Sequence, residues 1–112
     1  MSQLTTHILD TSKGRPAAGV PVFLYRQQPE GWLEIAASLT NEDGRIPGWL
    51  GKDTVLPPAV YKLRFEVKEY FSQQGLIAFY PFIEVVFAIN GAEHYHVPLL
   101  LSPFGYSTYR GS

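Results

Sequence analysis

A chain of 112 residues is the length of one domain, residues 1–112, and can bury about two-thirds of its unfolded surface without staples. Ten glycines and nine prolines imply many turns. The lack of cysteine excludes disulfides, thiolate nucleophiles and cysteine-based zinc sites, and a net charge of −1 gives no support to a nucleic-acid or anionic-membrane partner. Charged residues at 17% fall below the usual ~25% while aromatics reach 14%, a balance found where subunits meet. The start, Met-Ser-Gln-Leu-Thr-Thr, has neither a basic stretch nor an apolar run. No segment approaches membrane-spanning length, and the final Arg-Gly-Ser is not a peroxisomal Ser-Lys-Leu address, so the expected location is the cytoplasm.

Leu4 to Leu9 reads as a first strand, with Leu4, Thr6 and Ile8 on one face and Thr5, His7 and Leu9 on the other. Asp10 to Ala18 is a turn-rich loop. Val20 to Arg26 is apolar on both faces, as a central sandwich strand would be, and Gln27 to Gly31 turns the chain back. Trp32 to Leu39 alternates and predicts Leu33, Ile35, Ala37 and Leu39 on the core side. Asn41-Glu-Asp-Gly44 is a strong turn signal that delivers Arg45. Ile46 to Pro58 is irregular, with room for one short strand. Ala59 to Lys68 predicts Tyr61, Leu63, Phe65 and Val67 facing in, and Lys62, Arg64, Glu66 and Lys68 facing out.

Glu69 to Gln74 is the one credible helix, with Gly75 as its stop. Tyr80 to Gly91 is a further strand closed by Asn90-Gly91, a favoured tight-turn pair. Tyr95 to Leu101 follows, the Ser102-Pro-Phe-Gly105 cluster breaks it, and Tyr106 to Tyr109 resumes with β-formers. The pattern predicts an all-β fold: a sandwich of about eight strands with one short helix.

The histidines are His7, His94 and His96. Alternation puts His94, His96 and Pro98 on one strand face, opposite Tyr95, Val97 and Leu99. Terminal strands of a sandwich are often neighbours, which would bring His7 to the pair. Imidazole is the usual general base near neutral pH, although a partly buried histidine without a task is the commoner case. Three histidines can also hold a catalytic zinc, but a His-x-His pair is weak evidence and no helical His-Glu-x-x-His motif is present. Arg45 is either a solvated loop arginine or a clamp for an oxyanion or carbonyl. Tyr109 and Arg110 suit an interface or a substrate contact. No Gly-x-Ser-x-Gly, phosphate-binding loop or dinucleotide fingerprint occurs.

Two separated stretches carry a resemblance. Thr6-His-Ile-Leu-Asp10 with Gly14-Arg-Pro-Ala17 and Val20-Pro-Val22, and Leu100-Leu-Ser-Pro-Phe-Gly-Tyr-Ser-Thr108, resemble the two signatures of the transthyretin family. The resemblance extends over essentially the whole chain and implies a transthyretin-like (prealbumin-like) sandwich. That family contains a small-ligand carrier and a hydrolytic branch. His7, Arg45, His94-Tyr-His96 and the terminal Tyr109-Arg-Gly-Ser112 match the hydrolytic set, whereas the carrier's lysine at the His7 position and its lack of the tetrapeptide are not matched.

The resemblance implies hydrolysis of 5-hydroxyisourate, a cyclic amide from urate oxidation, to 2-oxo-4-hydroxy-4-carboxy-5-ureidoimidazoline, with no cofactor and no metal. It implies catalytic roles for His7, Arg45 and His96. Substrate contacts would come from His7, Arg45, Ser107, Tyr109, Arg110 and Ser112, with His94 at the rim. It also implies a homotetramer, a dimer of dimers, with the sites in a channel between dimers. The carrier of small aromatic ligands is the alternative.

Overall fold

In the computed structural model, which describes residues 3–51 and 53–111, the strands form two four-stranded sheets. The strands are β1 (Leu4–Asp10), β2 (Arg15–Pro16), β3 (Pro21–Gln28), β4 (Gly31–Leu39), β5 (Ala59–Phe65), β6 (Ile83–Ile89), β7 (Tyr95–Ser102) and β8 (Gly105–Thr108), and the single helix among the described residues is α1 (Lys68–Ser72). One sheet runs β2-β1-β7-β8 and the other β4-β3-β5-β6. All neighbours are antiparallel except β1 and β7, which pair in parallel from Leu4↔Tyr95 to Asp10↔Leu101. The expected sandwich is thus present, with its first long strand beside one of its last.

Alternation builds the core. Leu4 and Ile8 of β1, Tyr61, Leu63 and Phe65 of β5, and Val97, Leu99 and Leu101 of β7 are all buried between the sheets. Val67 is also buried, although β5 has ended, because the chain turns inward to start α1, whose Phe71 fills the same core. The segment after Arg45 contains no strand among its described residues. Ile46, Leu50 and Leu56 anchor it from below. The Gln3 side chain ties it down by accepting from Leu56 N at 2.7 Å and donating to Gly91 O at 3.0 Å.

The prediction for β4 fails in part. Leu33 and Leu39 are 46% and 59% exposed, and the half-buried residues are the adjacent Ile35 and Ala36. The register jumps from Leu24↔Ala36 to Tyr25↔Glu34, leaving Ile35 as an extra residue. A bulge of this kind inverts the facing of everything beyond it. As an edge strand β4 also has only one neighbour to cover it.

Asp10 closes the far end of β1. Fully buried, it accepts from Ser12 N, Ser12 Oγ, Lys13 N and, at 2.6 Å, the Tyr70 hydroxyl of α1. Burial alone would raise its carboxyl, but these hydrogen bonds outweigh it and hold the group below its usual range. Desolvation, then the bond to Asp10, pushes the Tyr70 phenol up to about 12.

Candidate active site

The outer face of the β2-β1-β7-β8 sheet carries the imidazoles. In the parallel ladder Thr5 stands opposite His96 and His7 opposite Pro98. Thr5, His7 and His96 therefore share a face and are all half-buried. The turn before Arg45 forms as its residues demand. Asn41 Oδ1 accepts from the backbone N–H groups of Asp43 and Arg45 at 2.9 and 3.1 Å, and Asn41 N donates to Arg45 O at 2.7 Å. Gly44 has φ +73°, a left-handed conformation that side chains resist, and its carbonyl accepts from Ile8 N at 2.9 Å. A Cβ on Gly44 would stand 2.5 Å from Ile8 O and 3.3 Å from the His7 ring. Only glycine lets the turn press on β1, and that contact bridges Arg45 to His7.

The electrostatics follow from this convergence. Burial, then the Arg45 guanidinium, lowers the His7 pKa, opposed by a hydrogen bond to the Asp43 backbone and the Asp43 carboxylate. Burial, then Arg45, His7 and His94, lowers the His96 pKa, opposed by a hydrogen bond to the Thr5 backbone. Both shifts favour the neutral imidazole, the form with an unprotonated nitrogen able to accept a proton. Among the described residues no carboxylate lies within ion-pair distance of Arg45, so its guanidinium is available to an oxyanion. A pocket of about 290 Å³, lined by Thr5, Asn41, Asp43, Arg45 and Pro47, opens beside it.

His94 is exposed and its ring lies nearly parallel to that of His96, at 6.4 Å. Between them stands the Thr5 hydroxyl, 2.9 Å from His94 Nε2 and 2.8 Å from His96 Nδ1. Among the described residues no three His, Cys, Asp or Glu side chains converge as a metal-holding group, so the three histidines do not assemble a zinc set within one chain.

The chain end continues the β7–β8 ladder. Leu99 pairs with Thr108, and His96 with Gly111, whose N–H donates to His96 O at 2.8 Å. Ser107, opposite Leu100, shares the imidazole face, whereas Tyr109 lies between the pairs and lines a pocket of about 280 Å³ with Tyr95, Val97 and Thr108. Arg110 is not on the imidazole face: its guanidinium lies 4.4 Å over the Tyr95 ring, and 3.7 Å from a Glu93 carboxylate oxygen, on the other side of β7. Ser112 lies outside the described residues. Sequence reading missed Thr5, and named Gly44 and Gly111 only as members of the turn before Arg45 and of the terminal tetrapeptide. Thr5 sits on the predicted His7 face, but only the β1–β7 register discloses its tie to the histidines.

A two-sheet sandwich with a parallel pair of first and penultimate strands, and two imidazoles and a guanidinium on the outer face of that pair, is the transthyretin type of fold carrying a polar site. The chain matches the HIUase/Transthyretin family over residues 4–111 and belongs to that family. It is 47% identical to 5-hydroxyisourate hydrolase of Mus musculus, over 99% of this chain and 96% of that one. Among solved structures, it superposes on Klebsiella pneumoniae 5-hydroxyisourate hydrolase with a TM-score of 0.85 at 38% identity, covering 97% of this chain and 98% of that one. Transthyretin from Sparus aurata gives a TM-score of 0.91 at 35% identity, covering 99% and 97%. The backbone is thus common to carrier and hydrolase, and the side chains must separate them.

Proposed function

We propose that this protein hydrolyses 5-hydroxyisourate to 2-oxo-4-hydroxy-4-carboxy-5-ureidoimidazoline. The observation that carries the reading is the convergence of two imidazoles with lowered pKa and a guanidinium that has no ion-pair partner among the described residues. A carrier needs no base, whereas hydrolysis of a cyclic amide does. The relatives named as 5-hydroxyisourate hydrolases support the same choice.

In the proposed reaction His7 and His96 hold the attacking water between them, and one accepts its proton as the oxygen bonds to the ring carbonyl carbon. Arg45 stabilises the oxyanion that develops. The carbonyl re-forms as the ring C–N bond breaks, and the imidazolium returns the proton to the departing nitrogen. A positioned base supplies about 10²–10⁴-fold, and an oxyanion contact about 2.7–4 kcal/mol. Ser107 lies on the same face and would contact the ring, and Tyr109 would reach it from the chain end. Arg110 and Ser112 would act on it from the chain end, Arg110 only by leaving Tyr95 or by meeting substrate held by a neighbouring subunit. None of these steps calls on a metal or cofactor.

The assembly that suits this site is a homotetramer, a dimer of dimers, with the imidazole faces lining a channel. Support comes from the charge-poor, aromatic-rich composition, the unpaired edges of β6 and β8, and exposed Phe104, Tyr106 and Tyr109. No helix among the described residues is long and apolar enough to cross a membrane. The cytoplasmic location proposed for the protein is checked by fractionating its source cells.

The decisive experiment adds the protein to freshly made 5-hydroxyisourate and follows the loss of its absorbance. Acceleration over the spontaneous decay is expected. Binding without acceleration would instead assign the carrier role, which the likeness to Sparus aurata transthyretin keeps as the second reading.

A further inference from the structure

Thr5 places one hydroxyl between two imidazoles, and a hydroxyl has one proton to give. Both rings cannot accept from it. At least one nitrogen, His94 Nε2 or His96 Nδ1, must carry its own proton and donate to Oγ1. The proton inventories of the two histidines are therefore linked through Thr5.

We propose that Thr5 and His94 are positioning residues that hold His96 as its Nδ1–H tautomer: Thr5 Oγ1 accepts from His96 Nδ1–H and donates its own O–H to His94 Nε2, leaving His96 Nε2 unprotonated toward the site. The inference rests on the hydrolase reading for its meaning, but its geometry does not.

Three features favour this direction. First, the Thr5 backbone also hydrogen-bonds His96 and raises its proton affinity, which a carbonyl does only by accepting. Second, Thr5 is β-branched and half-buried within a paired strand, so its hydroxyl is held in one direction. The next residue shows the contrast: Thr6 points to the other side of β1 and donates to Val97 O at 2.7 Å. Third, His94 is exposed, so its Nδ1 meets solvent and can carry the proton that leaves Nε2 free to accept.

The catalytic consequence is that His96 can take a proton at Nε2 without moving anything. Nδ1–H is already donating to Thr5, and the same bond persists in the imidazolium. In the opposite tautomer the basic nitrogen faces Thr5, away from water and substrate, and proton uptake requires the hydroxyl to turn round. In a serine-protease triad, an imidazole held in the wrong tautomer costs about 10⁴-fold, which sets the scale for such an effect.

The test uses the full-length protein with histidine labelled by nitrogen-15, without substrate, at a pH where His96 is neutral. Long-range proton–nitrogen spectra read which ring nitrogen carries the proton. The expected result is Nδ1–H for His96 in the unsubstituted protein and in Thr5→Ser, and a shift toward Nε2–H in Thr5→Val. His94→Ala frees the hydroxyl to donate to His96 and is expected to shift the population the same way, so that the test survives if Thr5→Val fails to fold. In the hydroxyisourate assay Thr5→Val should lose at least about 10-fold in kcat with little change in KM, and Thr5→Ser should keep most of the activity. An Nε2–H His96 in the unsubstituted protein, or a tautomer untouched by both Thr5→Val and His94→Ala, would overturn the proposal. An unsubstituted protein that shows the Nδ1–H tautomer but no hydrolysis refutes the hydrolase reading instead.

Discussion

The most discriminating substitution is Gly111→Ala. Gly111 pairs with His96 across the extended β7–β8 ladder, and the missing side chain leaves space that the His96 ring occupies. An added Cβ would stand 2.6 Å from His96 Cδ2, whereas ordinary contact begins at 3.4 Å, so ring or chain end must give by about 0.8 Å. The backbone of Gly111 is not left-handed, so no conformational penalty confuses the reading. Either the imidazole turns away from Thr5, or the terminal segment swings off β7 and takes Tyr109 with it. A displacement near 1 Å at a reacting group costs about 10²-fold. Gly111 lies beyond the last strand and fills no core, so stability should stay within about 0.5 kcal/mol. The measurements are kcat from hydroxyisourate decay and the midpoint of urea unfolding. A variant that is equally stable and fully active would refute the claim that the chain end shapes the His96 side of the site.

His96→Ala should lower kcat by at least about 10²-fold with the circular dichroism spectrum unchanged, as for loss of a general base. Because burial and then Arg45 depress both imidazoles, activity should persist through neutral pH and fall only on acidification below the ordinary histidine value of 6.5. In Arg45→Gln the residual activity should lose its acid limb at a higher pH than the unsubstituted protein, because a depressing charge is gone; a pH profile of kcat/KM reads both. Tyr70→Phe should destabilise the fold by about 1–3 kcal/mol by removing a donor from the buried Asp10 carboxylate. Asp10 itself, depressed in the fold, contributes stability that is present above its ordinary value of 3.8 and is lost as pH falls through the folded value, which urea unfolding across acid pH would follow.

How much could be read before the fold was known depends on distance along the chain. Facing within a strand is a local property, and Leu4, Thr6 and Ile8 or Tyr61, Leu63 and Phe65 alternate as their pattern requires. The turn that presents Arg45 is also local: Asn41 supplies the side-chain acceptor and Gly44 the left-handed residue. The β4 error has a local cause that leaves no local mark, because a bulge is defined by the partner strand, and Ile35 differs from its neighbours only in having no residue opposite. Thr5 and Gly111 are harder still. Each acts through a residue about 90 or 15 positions away, and a threonine in a strand or a glycine near a chain end has ordinary explanations. Only the register between strands turns them into parts of a site.

That register also divides the terminal tetrapeptide in a way its sequence conceals. Gly111 falls on the imidazole face because it opposes His96 on β7, while Tyr109 lines a pocket with Tyr95 and Val97. Arg110 points to the other side of β7, and there it stacks on Tyr95 and meets Glu93. Tyr95 is otherwise the anchor of the β6–β7 turn, its hydroxyl accepting from Asn90 N and Gly91 N at 3.0 and 3.2 Å. Arg110 thus clamps the chain end against the turn that leads into His94 and His96. Its exposed ion pair is worth little by itself. Its planar guanidinium over the Tyr95 ring is the stronger contact, which a lysine would reproduce poorly. In a single chain the arginine of the tetrapeptide therefore holds the tail in register, and the glycine makes room for the His96 ring.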